Sequence, residues 1–255
     1  MRDMMYWKEK NEELAISVNA ESFTKELSKY ASDTDAVFLQ KFFKTGHGQY
    51  GEGDVFIGVR VPNTRKVCKK YQGMSNSEVK KLLDSPIHEH RLAAVILLSE
   101  KAKKATNEEL EQVYNLYIDG VYRNRINNWD IIDISARHVV GRYLEDKSRD
   151  IIYELARSPK LWEKRVAVLS TFSWIADGDV AVSMDIAEIL VQDKEDLIQK
   201  AVGWMLREIG KKVDQKLLTD FLDTRAQRMP RTMLRYSLEK LSPNLKKHYM
   251  NLYRG

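Results

Sequence analysis

The chain has 255 residues, 43% of them apolar, and carries 42 basic against 37 acidic side chains for a net charge of +5. That apolar share is enough for a sizeable core, and the lone cysteine, Cys68, excludes an intrachain disulfide and thiolate-rich zinc sites and suits a reducing compartment. The longest apolar run, Leu92 to Leu98, falls far short of the roughly 20 residues that span a bilayer.

From the N-terminus, Met1 to Lys10 alternates charges with Met4, Met5, Tyr6 and Trp7 and offers no apolar core or cleavage site of a secretory signal. Cytoplasmic residence follows as the expectation, nucleoid-associated in a prokaryote, with no membrane partner. Residues 1–75 should hold N-terminal helices, from Met1 to Tyr30 and beyond, together with a glycine-rich loop over 44–62. Val55 to Val61 alternates loosely but ends at Pro62 and is read as part of that loop. The stretch from Gly46 to Gly53 is neither a dinucleotide fingerprint nor a phosphate loop. His88-Glu89-His90 has ligand-type residues, but adjacent helix positions point apart, so it reads as a solvated helix start. No metal and no cofactor are expected.

From Ser75 onward apolar residues recur at i, i+3 and i+4, as in Ile87, Arg91, Ala94, Val95 and Leu98 behind the capping pair Ser85-Pro86. Helices with similar apolar spacing begin at His88, Asn127, Trp162, Ile198 and Pro230, at intervals of 39, 35, 36 and 32 residues. Partner helices fit between them at Asn107 to Asp119, Lys147 to Ala156, Val180 to Val191 and Asp214 to Leu222. Two helices per period of roughly 35 to 40 residues is the pattern of HEAT-type repeats, in which each pair buries its apolar face against its neighbours. The expected fold is all-α: one domain over 1–255, with 76–255 as a right-handed superhelical solenoid of HEAT-like repeats presenting a concave groove. The charge is uneven along it. Lys200 to Gly255 carries thirteen basic and five acidic residues, leaving the remainder net acidic, and such a basic end suits a surface that grips phosphates.

The segment Asn127 to Arg137 carries the candidate chemistry. Asn127 or Asn128 can cap the helix and Asp130 can complement its dipole, so neither needs a function. Asp133 lies a turn further in, between Ile132 and Ile134. Ile132, Ala136, Val139 and Tyr143 form an expected core stripe, with Trp129, Asp133 and Arg137 in a second stripe beside it. An exposed Asp133–Arg137 ion pair with a packed Trp129 is what spacing alone supports. Internal alignment places Asp133 in one repeat column with Ala94, Val168, Trp204 and Tyr236, an expected surface row. Arg165 lies in line with Leu161, Val168 and Phe172, and Arg91 occupies the same column. It can be a recurrent brace between helices, or a guanidinium fork that clamps a phosphate or orients Asp133.

Five stretches together resemble the HEAT-repeat DNA alkylation repair enzymes, the AlkD-like alkylpurine DNA glycosylases: Phe42 to Arg65, Trp129 to Asp133 (WDIID), Leu161 to Ala167 (LWEKRVA), Lys200 to Glu208 (KAVGWMLRE) and Met229 to Leu241. The resemblance implies excision of cationic alkylated purines, such as 3-methyladenine and 7-methylguanine, from double-stranded DNA by a monomer. It also implies roles. Asp133 matches the catalytic aspartate and Arg165 the active-site arginine, which would keep Asp133 ionised. Trp129 and Trp204 match two cleft tryptophans, and Tyr50 a substrate-side aromatic. Arg137, Lys200, Arg207, Arg228, Arg231 and Arg235 would contact phosphates. A non-catalytic binder of damaged or branched DNA, or a protein-binding scaffold, are the competing readings.

Overall fold

The computed structural model describes residues 18–252, so the expectations for Met1 to Lys10, and most of the Met1 to Tyr30 helical assignment, lie outside the described residues. Among the described residues every extended element is helical, and Val55 and Ile87 form an isolated parallel bridge. No helix is long and apolar enough to cross a membrane. The chain divides into two compact units, Met1–Glu100 and Lys101–Gly255.

In the first unit run α1 (Ala20–Ser28), α2 (Asp33–Phe42), α3 (Val61–Lys70), α4 (Asn76–Leu83) and the greater part of α5 (His88–Lys104). Phe23, Leu27, Val67, Met74, Leu82 and Leu83 are buried there, because α1, α3 and α4 each turn one apolar stripe inward. Cys68 lies in the same core, with Sγ 3.8 Å from the Ala93 carbonyl. Residues 43–60 form no helix, and the glycine-rich loop expected over 44–62 ends earlier than that, because Val61 and Pro62 open α3. The loop's last turn is tied down by Glu89, whose carboxylate accepts the amides of Ile57, Gly58 and Val59 at 2.8 to 3.2 Å. Gly58 sits at φ +79°, and a Cβ there would strike the Ser32 carbonyl.

The expectation of a solvated start for α5 is therefore wrong: His88, Glu89 and His90 are all buried. The loop folds back over them. His88 Nδ1 meets Asp54 Oδ2 at 2.8 Å, and Arg91 pairs with the same carboxylate while donating to the Ser85 and Pro86 carbonyls. Burial pushes Asp54 up, yet His88 and Arg91 outweigh it and hold the carboxyl below the ordinary aspartate value. Burial takes His90 the other way, down to about 4, with Arg91 acting in the same direction.

The second unit contains α6 (Asn107–Tyr122), α7 (Trp129–Asp133), a π turn at Arg137–Gly141, α8 (Asp150–Arg157), α9 (Leu161–Ser170), α10 (Phe172–Ile175), α11 (Ala181–Ile189), α12 (Asp196–Lys212), α13 (Gln215–Arg225), α14 (Arg231–Leu238) and α15 (Pro243–Leu252). All the expected partner helices are present, shifted by at most a few residues. The helix expected from Asn127 through Tyr143 is not continuous: it stops at Asp133 and resumes as the wider π turn. Along the repeat column Ala94 and Val168 are core residues, whereas Asp133 and Trp204 are half-buried and Tyr236 is exposed.

Helix α12 packs most extensively against α14, and Gly203 makes this possible. A Cβ on Gly203 would lie 2.5 Å from the Met233 carbonyl oxygen and 2.6 Å from Tyr236 Cβ. Gly203→Ala should therefore destabilise the protein by about 2 kcal/mol, an overpacking penalty larger than the gain in helix propensity. Urea unfolding checks this, and an unchanged midpoint would show that the two helices can separate without cost.

Candidate active site

Helix α7 begins where Asn128, wholly buried, accepts the Trp129 amide on Oδ1 at 2.9 Å, a local cap that sets the direction of the first turn. Ile131 and Ile132 are fully buried and anchor the helix. Trp129 and Asp133, at its two ends, are left half-buried.

Asp133 and Arg165 meet as a two-pronged pair. Arg165 Nε donates to Oδ1 at 2.9 Å and Nη2 to Oδ2 at 2.8 Å, while Nη1 donates to the Leu197 carbonyl at 2.5 Å. The pair joins α7 to α9, and the Leu197 contact joins both to the first turn of α12. The guanidinium is 5% exposed and the carboxylate 18%. The fork of the guanidinium is thus filled by Asp133 and its third hydrogen bond by the backbone. A carboxylate has about four lone-pair directions, of which Arg165 takes two, so both oxygens keep acceptor capacity on a partly open side.

Burial is the largest influence on Asp133 and raises its carboxyl above the ordinary aspartate value; Arg165 lowers it, Asp130 raises it, and the net direction is upward.

Arg137 does not pair with Asp133. The helix break carries it away, and its guanidinium lies over the Phe172 ring, 4.6 Å from the centroid. Lys212 approaches the same ring at 4.2 Å, and Trp204 stands 5.6 Å from it, tilted. The Trp204 indole is held by Glu208, which accepts Nε1–H at 3.2 Å and also binds Arg207 and Lys212. Burial pushes Glu208 up, but Lys212, Arg207 and Trp204 together hold its carboxyl below the usual glutamate value. Phe172, Glu208 and Lys212 were not singled out from sequence. Of these, Glu208 had a signal, since it lies one helical turn beyond Trp204.

Other expected phosphate contacts are occupied by acids. Lys200 pairs with Asp196 at 2.7 Å, Arg207 with Glu239 and Glu208, and Arg228 with Glu188 beside Arg225. Arg231 and Arg235 are exposed on α14, and Arg235 makes no ion pair among the described residues. Tyr50 belongs to the first unit, half-buried in the glycine-rich loop with the Lys44 ammonium 5.9 Å over its ring. No group of three or more His, Cys, Asp or Glu side chains that could hold a metal occurs among the described residues.

Comparison with known proteins gives a consistent assignment at the level of family and fold. No curated protein matches the sequence. A solved structure described as a predicted DNA alkylation repair enzyme from Enterococcus faecalis superposes with a TM-score of 0.66 at 16% sequence identity, covering 84% of this chain and 97% of that one, a likeness of fold. The family model described as DNA alkylation repair enzyme matches residues 23–241. With that match running over most of the chain, the protein belongs to the DNA alkylation repair enzyme family.

Proposed function

We propose that the protein is a monofunctional DNA glycosylase that hydrolyses the N-glycosidic bond of cationic alkylated purines, 3-methyladenine and 7-methylguanine among them, in duplex DNA. The observation that carries this is the Asp133 carboxylate, clamped by Arg165 on one side and 18% exposed on the other, with Trp129 a helical turn away. An N3- or N7-alkylated purine already bears positive charge. As the bond from C1′ breaks, its electron pair neutralises the departing base, and no general acid is needed. Positive charge then builds on the deoxyribose, where a fixed anion stabilises it. Water oriented by the open lone pairs of Asp133 adds to C1′ from the face opposite the departing base, and its proton passes to that carboxylate and on to solvent.

On this reading the protein takes the duplex as a monomer. Trp129 and Trp204 hold the lesion nucleotide's sugar and backbone, and Tyr50 touches the substrate side. The cation ladder on Phe172 supports it, since Arg137 and Lys212 place two positive charges next to Trp204.

Methylated duplex DNA incubated with excess protein should release free 7-methylguanine, measured by chromatography under single-turnover conditions. Tight binding without base release would replace the glycosylase with a non-catalytic binder of damaged DNA. Phosphate grip has its own test. Arg235→Ala should weaken binding of all duplexes alike and reduce the slope of log affinity against log salt by about 1. An unchanged slope in fluorescence anisotropy titrations would remove Arg235 from the interface.

A further inference from the structure

Behind Asp133 the backbone departs from helical hydrogen bonding in an ordered way. In an unbroken α-helix the Ser135 amide would donate to the Ile131 carbonyl. Here that amide turns to Ile132 at 3.1 Å, and the Ser135 hydroxyl takes the vacated acceptor, with Oγ 2.6 Å from the Ile131 oxygen. A carbonyl brings no proton, so at that distance the serine hydroxyl must be the donor. The Tyr117 hydroxyl lies 2.8 Å from the same Oγ. With the only serine proton committed, Tyr117 must in turn donate to Ser135. The direction of the whole chain is thus fixed: Tyr117 Oη–H to Ser135 Oγ–H to Ile131 O.

Both residues are fully buried, on an α6 face and at the break after α7, among apolar neighbours such as Ile131, Ile132 and Ala136. A polar chain in such surroundings has no water to replace a lost partner. It sits two residues from Asp133, at the point where the α-helix ends and the π turn Arg137–Gly141 begins, closed by the Arg142 amide on the Arg137 carbonyl. Local widening of this kind re-aims the side chains on either side of it. Asp133 is turned to Arg165 and Arg137 to Phe172, where a continuous helix would have stacked the two on each other.

We propose that Tyr117 and Ser135 are positioning residues: their hydrogen-bond chain sets the backbone break behind Asp133 and thereby the aim of its carboxylate. This rests on the glycosylase reading for its kinetic consequences, though not for its structural ones. Neither residue touches the reacting atoms.

Two variants and two readouts test it. Ser135→Ala removes the donor to Ile131, and Tyr117→Phe removes only the proton that Ser135 receives. Single-turnover release of 7-methylguanine should fall about tenfold or more in Ser135→Ala and a few-fold in Tyr117→Phe, since small misplacements of a catalytic group carry large rate costs. Affinity for the methylated duplex should remain within twofold of wild type. Ser135→Thr, which keeps the hydroxyl, should recover part of the rate. The second readout is independent of turnover: carboxyl carbon NMR of ¹³C-aspartate-labelled protein, with the Asp133 signal assigned by Asp133→Asn. The groups facing that carboxylate are Arg165, Asp130 and Tyr117, and the midpoint of its titration should shift in both variants as its geometry to Arg165 changes. Wild-type rates and an unmoved Asp133 titration in a folded Tyr117→Phe variant would overturn the proposal and leave the chain as ordinary core bonding. If wild type releases no base, the glycosylase reading fails while the titration still decides the positioning role. Should Ser135→Ala not fold, Tyr117→Phe carries both measurements.

Discussion

Asp133→Asn should lower single-turnover base release by about 10²–10³-fold, the scale on which a preorganised electrostatic group acts, with DNA affinity unchanged or slightly tighter. The amide matches the carboxylate in size but not in charge or hydrogen bonding. One oxygen can still accept from Arg165, whereas the NH₂ group now faces a second N–H donor where Oδ1 or Oδ2 stood 2.8 to 2.9 Å away. More important, nothing negative then opposes the charge that develops on the sugar. Losing an anion near a polyanionic ligand should, if anything, favour binding. Chromatography of released base, anisotropy for affinity and circular dichroism for folding separate these effects. Undiminished release by a folded Asp133→Asn protein would end the proposed mechanism.

Arg165→Ala should have the largest effect on stability, about 3 kcal/mol or more, because it removes one member of a buried pair and leaves a carboxylate and the Leu197 carbonyl without their donor. The sign of its pH dependence follows from Asp133. Its folded-state carboxyl already sits above the ordinary aspartate value through burial, with Arg165 pulling it down. Ionising a group raised in this way costs folding free energy, and the cost disappears as pH falls through the folded value. Without Arg165 the carboxyl rises further, so the stability deficit of the variant should be greater at pH 7 than at pH 4. Urea unfolding at both values checks this. The acid limb of base release should move to higher pH in parallel, as the required carboxylate protonates sooner. Arg165→Lys keeps a charge but not the two-pronged geometry, and should restore stability more than rate. A deficit equal at pH 4 and pH 7 would show that Asp133 does not titrate against Arg165.

The helical periodicity was legible because apolar spacing along a helix is local in sequence, and the α5, α9, α12 and α14 starts fall within two residues of those expected. What spacing could not show was long-range pairing. Arg137 looked like the partner of Asp133 from four residues away in the chain, yet the partner is Arg165, 32 residues distant, and the helix stops between Asp133 and Arg137. His88-Glu89-His90 looked solvated because a helix wheel does not reveal a loop folding over it from residues 54–59. The phosphate-contact set was drawn from charge alone. Acids brought in from other helices, Glu188 against Arg228 and Glu239 against Arg207, occupy part of it, whereas Arg235 is exposed and makes no ion pair among the described residues.

The seclusion of Cys68 matters for a protein whose family deals with alkylated DNA. Burial, the largest influence, lifts its thiol to about 12, with Arg65 opposing and Glu100 assisting. At neutral pH the group is therefore held as the thiol and not as the nucleophilic thiolate. A thiol kept buried and protonated in this way is a slow target for electrophiles of the kind that methylate purines, which attack thiolates first.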